Sequence, residues 1–396
     1  MPSHGEFPMT RPDHRDGRRV ELCFVAPKAY GLLSGDSRVR HIGGAEVQQC
    51  LLARGLAQRG RPTAMVTLDV GQDVESTFDG VLAVRSYREE AGLAGLRFFW
   101  PRITGLWAAM RRADASVYYQ RTSDSLTGVV AAFCRRYQRR FVFAAGEDGD
   151  CLPALPNCRT ARERVLYRYG LRRADVVVAQ SRWQHDALAR NFGLSSVQIR
   201  SAAPDPGEPW AVPPEARPRF LWAGRFAPQK RPDLLIELAR RCPDADFEVV
   251  GGQSSGAPDA MVTDAARRIA NLHLRGFVPN RQMGSLYESA LALVCTSVRE
   301  GFPNTFLEAW SRGRPVLTTV DPDGVVGEER IGLVANDVEA LVAAVREMSA
   351  GGRQWAEMAG RARAYYLREH RPERILDDYG SLLDGLAAHE GGVCSL

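Results

Sequence analysis

Arg299-Glu300-Gly301-Phe302-Pro303-Asn304-Thr305-Phe306-Leu307-Glu308 is the stretch around which the rest of the chain falls into place. Just before it, Leu291-Ala292-Leu293-Val294-Cys295 is a short unbroken apolar run, the mark of a buried parallel strand. Just after, Phe306, Leu307, Ala309 and Trp310 fit the inner face of a helix, and Pro303 suits a first turn, where its missing N–H is not needed. Glu300 then sits in a strand-to-helix loop. Glu308 lies one to two turns inside the helix, roughly 7 Å further along at about 1.5 Å per residue. Between them the backbone N–H groups of 301–305 form an anion site at the positive end of the helix dipole. That arrangement suits a ligand with hydroxyls at both ends and phosphates in the middle, the shape of a nucleotide-diphosphate sugar. Solvated glutamates that merely favour the dipole fit the same spacing.

A second stretch adds cations. Phe220-Leu221-Trp222-Ala223-Gly224 reads as a strand, and 225–233 follows as a loop entering a helix. Arg225 and Lys230 thus stand at the carboxyl end of a strand, where open α/β sheets bind ligands. The chain holds 52 Lys plus Arg, of which only Lys28 and Lys230 are lysine. A lysine in so arginine-rich a chain points to a wanted ammonium, a point charge suited to a phosphate oxygen.

Together, Glu300-x7-Glu308 and the Gly224-Arg225 to Lys230 loop resemble the donor site of retaining glycosyltransferases of family 4, the group that includes glycogen, sucrose and mannosyl transferases. The resemblance implies the GT-B fold, an α/β architecture of two Rossmann-like, doubly wound parallel-sheet domains facing across a cleft. It implies that Arg225 and Lys230 neutralise the donor diphosphate. Glu300 and the backbone of Gly301, Phe302, Asn304 and Thr305 would hold the transferred sugar, and Glu308 the ribose. Gly252, Phe277 and Val278, at strand ends on the same side, would line the nucleotide. The implied reaction is metal-independent transfer of a hexosyl group, with retained configuration, from a UDP- or GDP-sugar to an acceptor hydroxyl. The acceptor would be a glycan, glycolipid or polyprenyl-linked species in bacterial-type polysaccharide or glycoconjugate synthesis, and no cofactor is expected.

Composition allows this. The chain has 396 residues, enough for two α/β domains, with 45% apolar and 25% charged residues as in ordinary soluble proteins. No apolar run nears the roughly 20 residues that span a bilayer. Residues 1–18 are polar and read as a disordered leader rather than a secretory signal. The eight cysteines are scattered without a Cys-x-x-Cys pair, as buried thiols of a reducing cytosol are. Residues 1–200 carry 30 Lys plus Arg against 20 Asp plus Glu, leaving 22 against 27 for the rest. A basic first half points to an anionic partner: a phosphorylated acceptor or an acidic membrane face, or else plain solvation. No nucleic-acid signature accompanies it. The expected location is cytoplasmic, with peripheral contact on the inner face of the plasma membrane.

The strand and helix alternation divides the chain. The first domain is expected over 19–200, opening with the strand Val20-Glu21-Leu22-Cys23-Phe24-Val25. His41-Ile42-Gly43-Gly44 then enters a helix, and Gly43 and Gly44 resemble the family's loop facing donor and acceptor from the opposite domain. The stretch 97–112 places Phe99, Ile103, Leu106, Trp107 and Met110 at helical spacing with arginines at both ends. It reads either as a helix packed on the sheet or as a basic aromatic surface on a membrane. Ser116 to Arg121 is a strand whose polar end, Arg121, joins the acceptor and phosphate residues. The strand Phe141-Val142-Phe143-Ala144-Ala145 empties into Gly146-Glu147-Asp148-Gly149-Asp150-Cys151. Many family members place a histidine where Gly146 stands. Asp148 is the first candidate to take over acceptor positioning, then Glu147 and Asp150, beside the alternative of an ordinary polar loop. Asp148-Gly149-Asp150 also matches an Asp-x-Asp metal motif, which the cations at 225 and 230 make redundant, and the seven histidines show no zinc spacing. A proline-rich linker over 201–219 leads to the donor domain, 220–371. A last helix and tail, 372–396, is expected to cross back onto the first domain. A sugar-nucleotide epimerase and a non-catalytic donor-binding subunit remain as rival readings. A nicotinamide dehydrogenase is disfavoured, since Gly-x-Gly-x-x-Gly is missing after the first strand.

Overall fold

The computed structural model describes residues 19–36, 43–93, 97–207, 217–252, 260–279 and 282–391. The leader expected over 1–18, His41 and Ile42 ahead of the glycine pair, and the part of the linker at 208–216 lie outside these residues.

Apolar runs bounded by glycine, proline and polar residues form two sheets, each sandwiched by helices. The first holds β1 (Leu22–Val25), β2 (Thr63–Thr67), β3 (Glu75–Phe78), β4 (Val81–Arg85), β5 (Val117–Arg121), β6 (Arg140–Ala144), β7 (Val176–Ala179) and β8 (Val197–Gln198), in the order β3-β4-β2-β1-β5-β6-β7-β8. All its pairings are parallel except the edge hairpin β3-β4. Among the described residues β3, with the alternating burial of a one-faced edge, is the one antiparallel element in an otherwise parallel layout. The second sheet holds β9 (Arg219–Arg225), β10 (Asp246–Gly252), β11 (Leu272–Gly276), β12 (Ala292–Cys295), β13 (Val316–Thr318) and β14 (Gly332–Val334), in the order β11-β10-β9-β12-β13-β14, all parallel.

Strand ends fix where function can sit. Both sheets reverse strand order at their first strand, leaving a crevice beyond the carboxyl ends of β1/β5 and of β9/β12. Two helices that follow strands of the first sheet, β5 and β7, are started by local side chains. Asp124 accepts from the Leu126 N–H at 2.6 Å ahead of the helix Ser125–Tyr137, and Ser181 from the Gln184 N–H at 3.1 Å ahead of Arg182–Phe192. Pro303 stands just before the helix Asn304–Trp310 rather than within its first turn.

The helix Pro372–Gly391 closes the first sheet. Ile375, Leu376, Tyr379 and Leu383 share one buried core with Leu22, Phe24, Leu52 and Tyr119, and the Tyr379 and Tyr119 hydroxyls lie 3.2 Å apart. Gly55 allows the approach: a Cβ there would meet the Leu376 methyl at 2.5 Å.

The stretch 97–112 splits in two. Its second part is the helix Thr104–Ala113, with Leu106, Ala109, Met110 and Ala113 buried and Trp107 edge-on to Phe133. Its first part, Phe98–Ile103, is a turn broken by an extended Trp100, with no buried residue. No helix among the described residues is long and apolar enough to cross a membrane, and the seven described cysteines are buried free thiols.

Candidate active site in the cleft

The two second-domain loops singled out from sequence are zipped together at the carboxyl edge of β9 and β12. The Val298 N–H donates to the Gln229 carbonyl at 2.8 Å, and Gln229 Nε2 returns a bond to the Arg299 carbonyl at 2.8 Å. Trp222 Nε1 donates to Thr296 Oγ1, which donates in turn to the Lys230 carbonyl. This brace brings Lys230 Nζ to 2.5 Å from Glu300 Oε1, a charge-assisted bond between partly buried groups. Arg225 stands exposed on the same edge and, among the described residues, pairs with no carboxylate. The backbone there is packed to the limit. Gly251 adopts φ +141°, and a Cβ on it would lie 1.7 Å from the Gly224 carbonyl oxygen, so the ends of β9 and β10 meet only through glycine. The Gly252 carbonyl accepts from the Phe226 N–H at 3.0 Å. Phe277 is exposed just past β11, with Val278 beside it.

The Glu300 to Glu308 stretch divides its side chains between core and cleft. Phe302 is core, packed 5.0 Å from the His370 ring and edge-on to Trp310, so only its backbone remains for a ligand. Glu308 Oε2 accepts from the Tyr287 hydroxyl at 2.7 Å. Burial pushes its carboxyl above the usual range, opposed by that bond and by Arg312. Asn304 reaches across to the first domain: Nδ2 donates to the Gly44 carbonyl at 2.9 Å, while Oδ1 accepts from Gln48 Nε2 at 3.1 Å. Gly43 precedes and Gly44 begins the helix Gly44–Gln58; of the pair it is Gly44 that meets the second domain, whereas Gly43 packs against Glu46. Gln48 also grips the Ala202 backbone through both ends of its amide, at 2.6 and 3.0 Å. Gln48, Asn304, Tyr287 and Glu308 border a cavity of about 640 Å³ between the halves. Thr305 lies half-buried beside it in sequence.

The acidic loop after β6 meets this edge from the other side. Gly301 packs so closely on it that an added Cβ would sit 2.9 Å from Glu147 Cα, 2.8 Å from Gln184 Nε2 and 2.9 Å from Gln180 Nε2. Burial, then the charges of Asp150 and Glu300, push the Glu147 carboxyl up, against a hydrogen bond with Gln229. Asp148 accepts from Gln184 Nε2 at 3.1 Å, and burial raises its carboxyl to about 7. Asp150 has a different task. It is fully buried, and its two oxygens take five donors: the N–H groups of Ser123, Gly146 and Glu147, the Ser123 hydroxyl and Asn157 Nδ2. It shapes the loop and has no oxygen to spare. No group of three or more His, Cys, Asp or Glu side chains converges as a metal site among the described residues.

The glycine at 146 has a physical reason. A Cβ there would lie 2.2 Å from Thr122 Cγ2, and Thr122 itself is held at φ +73°. The space a side chain would need is taken. Arg121 is buried behind the loop, donating to Gln180 Oε1 at 2.9 Å and to Ser201 Oγ at 3.1 Å, while Gln180 Nε2 donates to the Gly146 carbonyl at 2.7 Å. It therefore steadies the loop through Gln180.

Sequence reasoning passed over Gln48, Gln180, Gln184 and Asp323. Three glutamines lie just past a strand end or one turn into the following helix, a position rule that would have found them. Asp323 spans the domains, its carboxylate accepting from the N–H groups of Arg182 and Trp183 at 2.8 and 2.9 Å and so starting a helix of the other domain. Nothing local in the sequence marks it.

Known proteins fit this architecture. The family model for glycosyl transferases group 1 matches residues 217–350, and that for a glycosyl transferase 4-like domain matches 43–201. Mannosylfructose-phosphate synthase of Agrobacterium fabrum is 28% identical over 187 residues, which is 41% of this chain and 40% of that protein. A D-inositol 3-phosphate glycosyltransferase of Frankia alni is 37% identical over 128 residues, 27% of this chain and 31% of the relative. The chain thus matches less than half the length of these relatives. Among solved structures, sucrose-phosphate synthase from Thermosynechococcus elongatus superposes with a TM-score of 0.77 at 16% identity, covering 94% of this chain and all of that one. Anabaena HepE, solved with UDP-glucose, superposes at 0.72 with 14% identity over 92% and 99% of the two chains. With a 4-like domain ahead of a group 1 domain, and both halves superposing on a two-domain α/β fold, the chain belongs to the GT-B glycosyltransferases related to family 4.

Proposed function

We propose that the protein is a retaining, metal-independent hexosyltransferase that uses a UDP- or GDP-sugar and an acceptor hydroxyl. The observation that carries this is the joined edge of β9 and β12, where an unpaired Arg225 and the Lys230–Glu300 pair stand together before an uncapped helix start. A diphosphate entering there meets Arg225, Lys230 and the N–H groups of Asn304 and Thr305, that of Phe306 being taken by the Pro303 carbonyl. As the glycosidic bond breaks, negative charge grows on the leaving diphosphate, and these donors stabilise it more than they stabilise the ground state. Lys230, already bonded to Glu300, couples the phosphate end of the donor to the carboxylate that accepts from sugar hydroxyls. Glu308 takes the ribose hydroxyls. The acceptor attacks on the face the diphosphate leaves from, and a phosphate oxygen takes its proton, so no covalent nucleophile is required. Asp148, near-neutral in its buried site, orients the acceptor hydroxyl in the place a histidine would hold.

The UDP-glucose seen with HepE supports a nucleotide-sugar donor. The phosphate in the names of both sequence relatives places phosphorylated sugars and inositol phosphates in the acceptor screen beside glycans and polyprenyl-linked species. The test is thermal stabilisation by UDP-, GDP-, ADP- and dTDP-sugars, each with magnesium and with EDTA, since a ligand of the native state raises the melting point by mass action. One donor whose shift survives EDTA supports the proposal. A shift that needs magnesium, or none with any donor, rejects it.

A further inference from the structure

The chain passes between the two sheets twice, and the passages touch. It leaves the first sheet after β8 and reaches β9 by way of Ser201, Ala202 and Ala203, all buried. It returns after the helix Gly352–Glu369, through His370, to the helix Pro372–Gly391 on the first sheet. The Ala203 N–H donates to the His370 carbonyl at 3.3 Å, and the Tyr366 hydroxyl to the Ala203 carbonyl at 2.8 Å. His370 Nδ1 lies 2.8 Å from the Ser201 carbonyl oxygen, which only accepts, so Nδ1 carries the proton.

Energetically, histidine is a poor filler for this place. It is fully buried among aromatic rings, 5.0 Å from Phe302 and 5.3 Å from Tyr365, and its Nε2 has no hydrogen-bond partner among the described residues. An unpaired buried acceptor destabilises the fold, and phenylalanine would fill an aromatic pocket without that penalty. Burial pushes the imidazole down to about 3, so the ring stays neutral and its charge plays no part near pH 7. What histidine has and phenylalanine lacks is the Nδ1 proton on Ser201.

That bond and the ring lead to opposite sides of the cleft. Ser201 Oγ donates to Gln180 Oε1 at 2.8 Å, and Gln180 Nε2 to the Gly146 carbonyl at 2.7 Å, just ahead of Glu147 and Asp148. The ring packs on Phe302, which lies between Gly301 and Pro303 in the loop proposed to hold the donor. Gly301 closes the circuit, since a Cβ on it would lie 2.9 Å from Gln180 Nε2. We infer that His370 is a positioning residue for the proposed transfer: its ring seats the donor loop through Phe302, and its Nδ1–H seats the acceptor loop through Ser201 and Gln180. The roles of the two loops rest on the proposed function; the circuit of contacts does not.

Two variants divide the residue. His370→Phe keeps a ring and removes the Nδ1 donor, whereas His370→Asn keeps a donor at the Nδ1 position and removes the ring. Amide exchange of the unliganded full chain reads each loop without any substrate. In His370→Phe the Gly146 and Glu147 N–H groups, both bonded to Asp150, should exchange about tenfold faster, the worth of one hydrogen bond, with Phe306 unchanged. In His370→Asn the Phe306 N–H, bonded to the Pro303 carbonyl, should speed up and the acceptor loop should not. Kinetics should divide the same way: a lower kcat and a higher acceptor KM for His370→Phe, a higher donor KM for His370→Asn. Leu383→Ala, buried about three turns past His370, should lower the melting point with neither change. Unchanged exchange at Gly146 and Glu147 in His370→Phe, unchanged exchange at Phe306 in His370→Asn, or one shared pattern in all three variants would overturn the inference. The expected exchange in a protein that no nucleotide-sugar stabilises would support the circuit and reject the proposed function instead.

Discussion

Replacing Asp148 by asparagine should stabilise the protein at alkaline pH while weakening its proposed activity. Burial is the main reason the Asp148 carboxyl is held up to about 7, with the charges of Asp323 and Glu147 adding and Gln184 and Arg299 opposing. An unfolded aspartate titrates near 3.9. Between about pH 4 and pH 7 the unfolded chain has therefore lost this proton while the folded chain keeps it. Stability from the group is full below about pH 4 and drains away as pH rises through about 7. A shift of about three units at about 1.4 kcal/mol each bounds the loss at about 4 kcal/mol. Asp148 is partly exposed, and screening by water lowers the expected figure to about 2 kcal/mol. Asparagine can still accept from Gln184 Nε2, so the variant removes the titration and leaves the bond. Urea unfolding of both proteins from about pH 4 to pH 8 tests this. All other titrating groups are shared, including Asp124, which burial holds up to about 6, so they cancel in the difference. The variant should gain about 2 kcal/mol on the wild type across the window. Parallel stability curves would refute the buried carboxyl. The same substitution should abolish a limb near pH 7 in the kcat/KM profile for transfer.

Other perturbations read the rest of the cleft. Glu300→Ala and Lys230→Ala should each lower transfer by orders of magnitude with the fold intact by circular dichroism, and near-normal turnover in both would remove the pair from the site. Gly301→Ala drives a methyl against Glu147 Cα at 2.9 Å, a contact backbone cannot yield, so it should cost about 1–3 kcal/mol of cleft closure. X-ray scattering should show a larger radius of gyration, and an unchanged one contradicts the contact. Asp323→Ala removes the acceptor for the Arg182 and Trp183 N–H groups and should cost about 1 kcal/mol. Faster amide exchange at these two positions is the readout, and unchanged protection counts against the latch. Gly146→Ala should lower the melting point through its 2.2 Å clash with Thr122, and Thr122→Gly should restore it; failure of that rescue would place the strain elsewhere.

The elements of the site were legible because each is local. An apolar run, a glycine or proline break and an amphipathic start mark β9, β12 and the helix Asn304–Trp310 with no knowledge of the rest. Carboxyl ends of parallel strands gather at one edge, so Arg225, Lys230 and Glu300 had to be neighbours. Their pairing was not legible. Lys230 and Glu300 are 70 residues apart, and each read separately looks like a ligand group for a different end of the donor. Direction was hidden as well. A strand ending in Gln120 and Arg121 announces polar groups at the edge, yet whether Arg121 points into the cleft or behind it depends on Gln180 and Ser201, supplied by other segments. Likewise 97–112 carries one helical spacing throughout, but Pro101 and the extended Trp100 split it into an exposed turn and a packed helix.

The position of Gly146 shows how such non-local contacts decide chemistry. Read alone, it looks like a side chain missing from a strand end beside the cleft. In the fold it is a consequence of Thr122: a residue at φ +73° turns its methyl into the space and leaves room only for hydrogen. The chain is then free to put its carbonyl under Gln180 and its N–H on Asp150, which holds the loop so that Glu147 and Asp148, one and two residues on, lie against Gly301 and the glutamines. A buried carboxyl near neutrality can accept or donate a hydrogen bond around pH 7, as an imidazole does. Burial keeps the Asp148 carboxyl weakly acidic two residues past the strand-end glycine, which is the property its proposed part in orienting the acceptor requires.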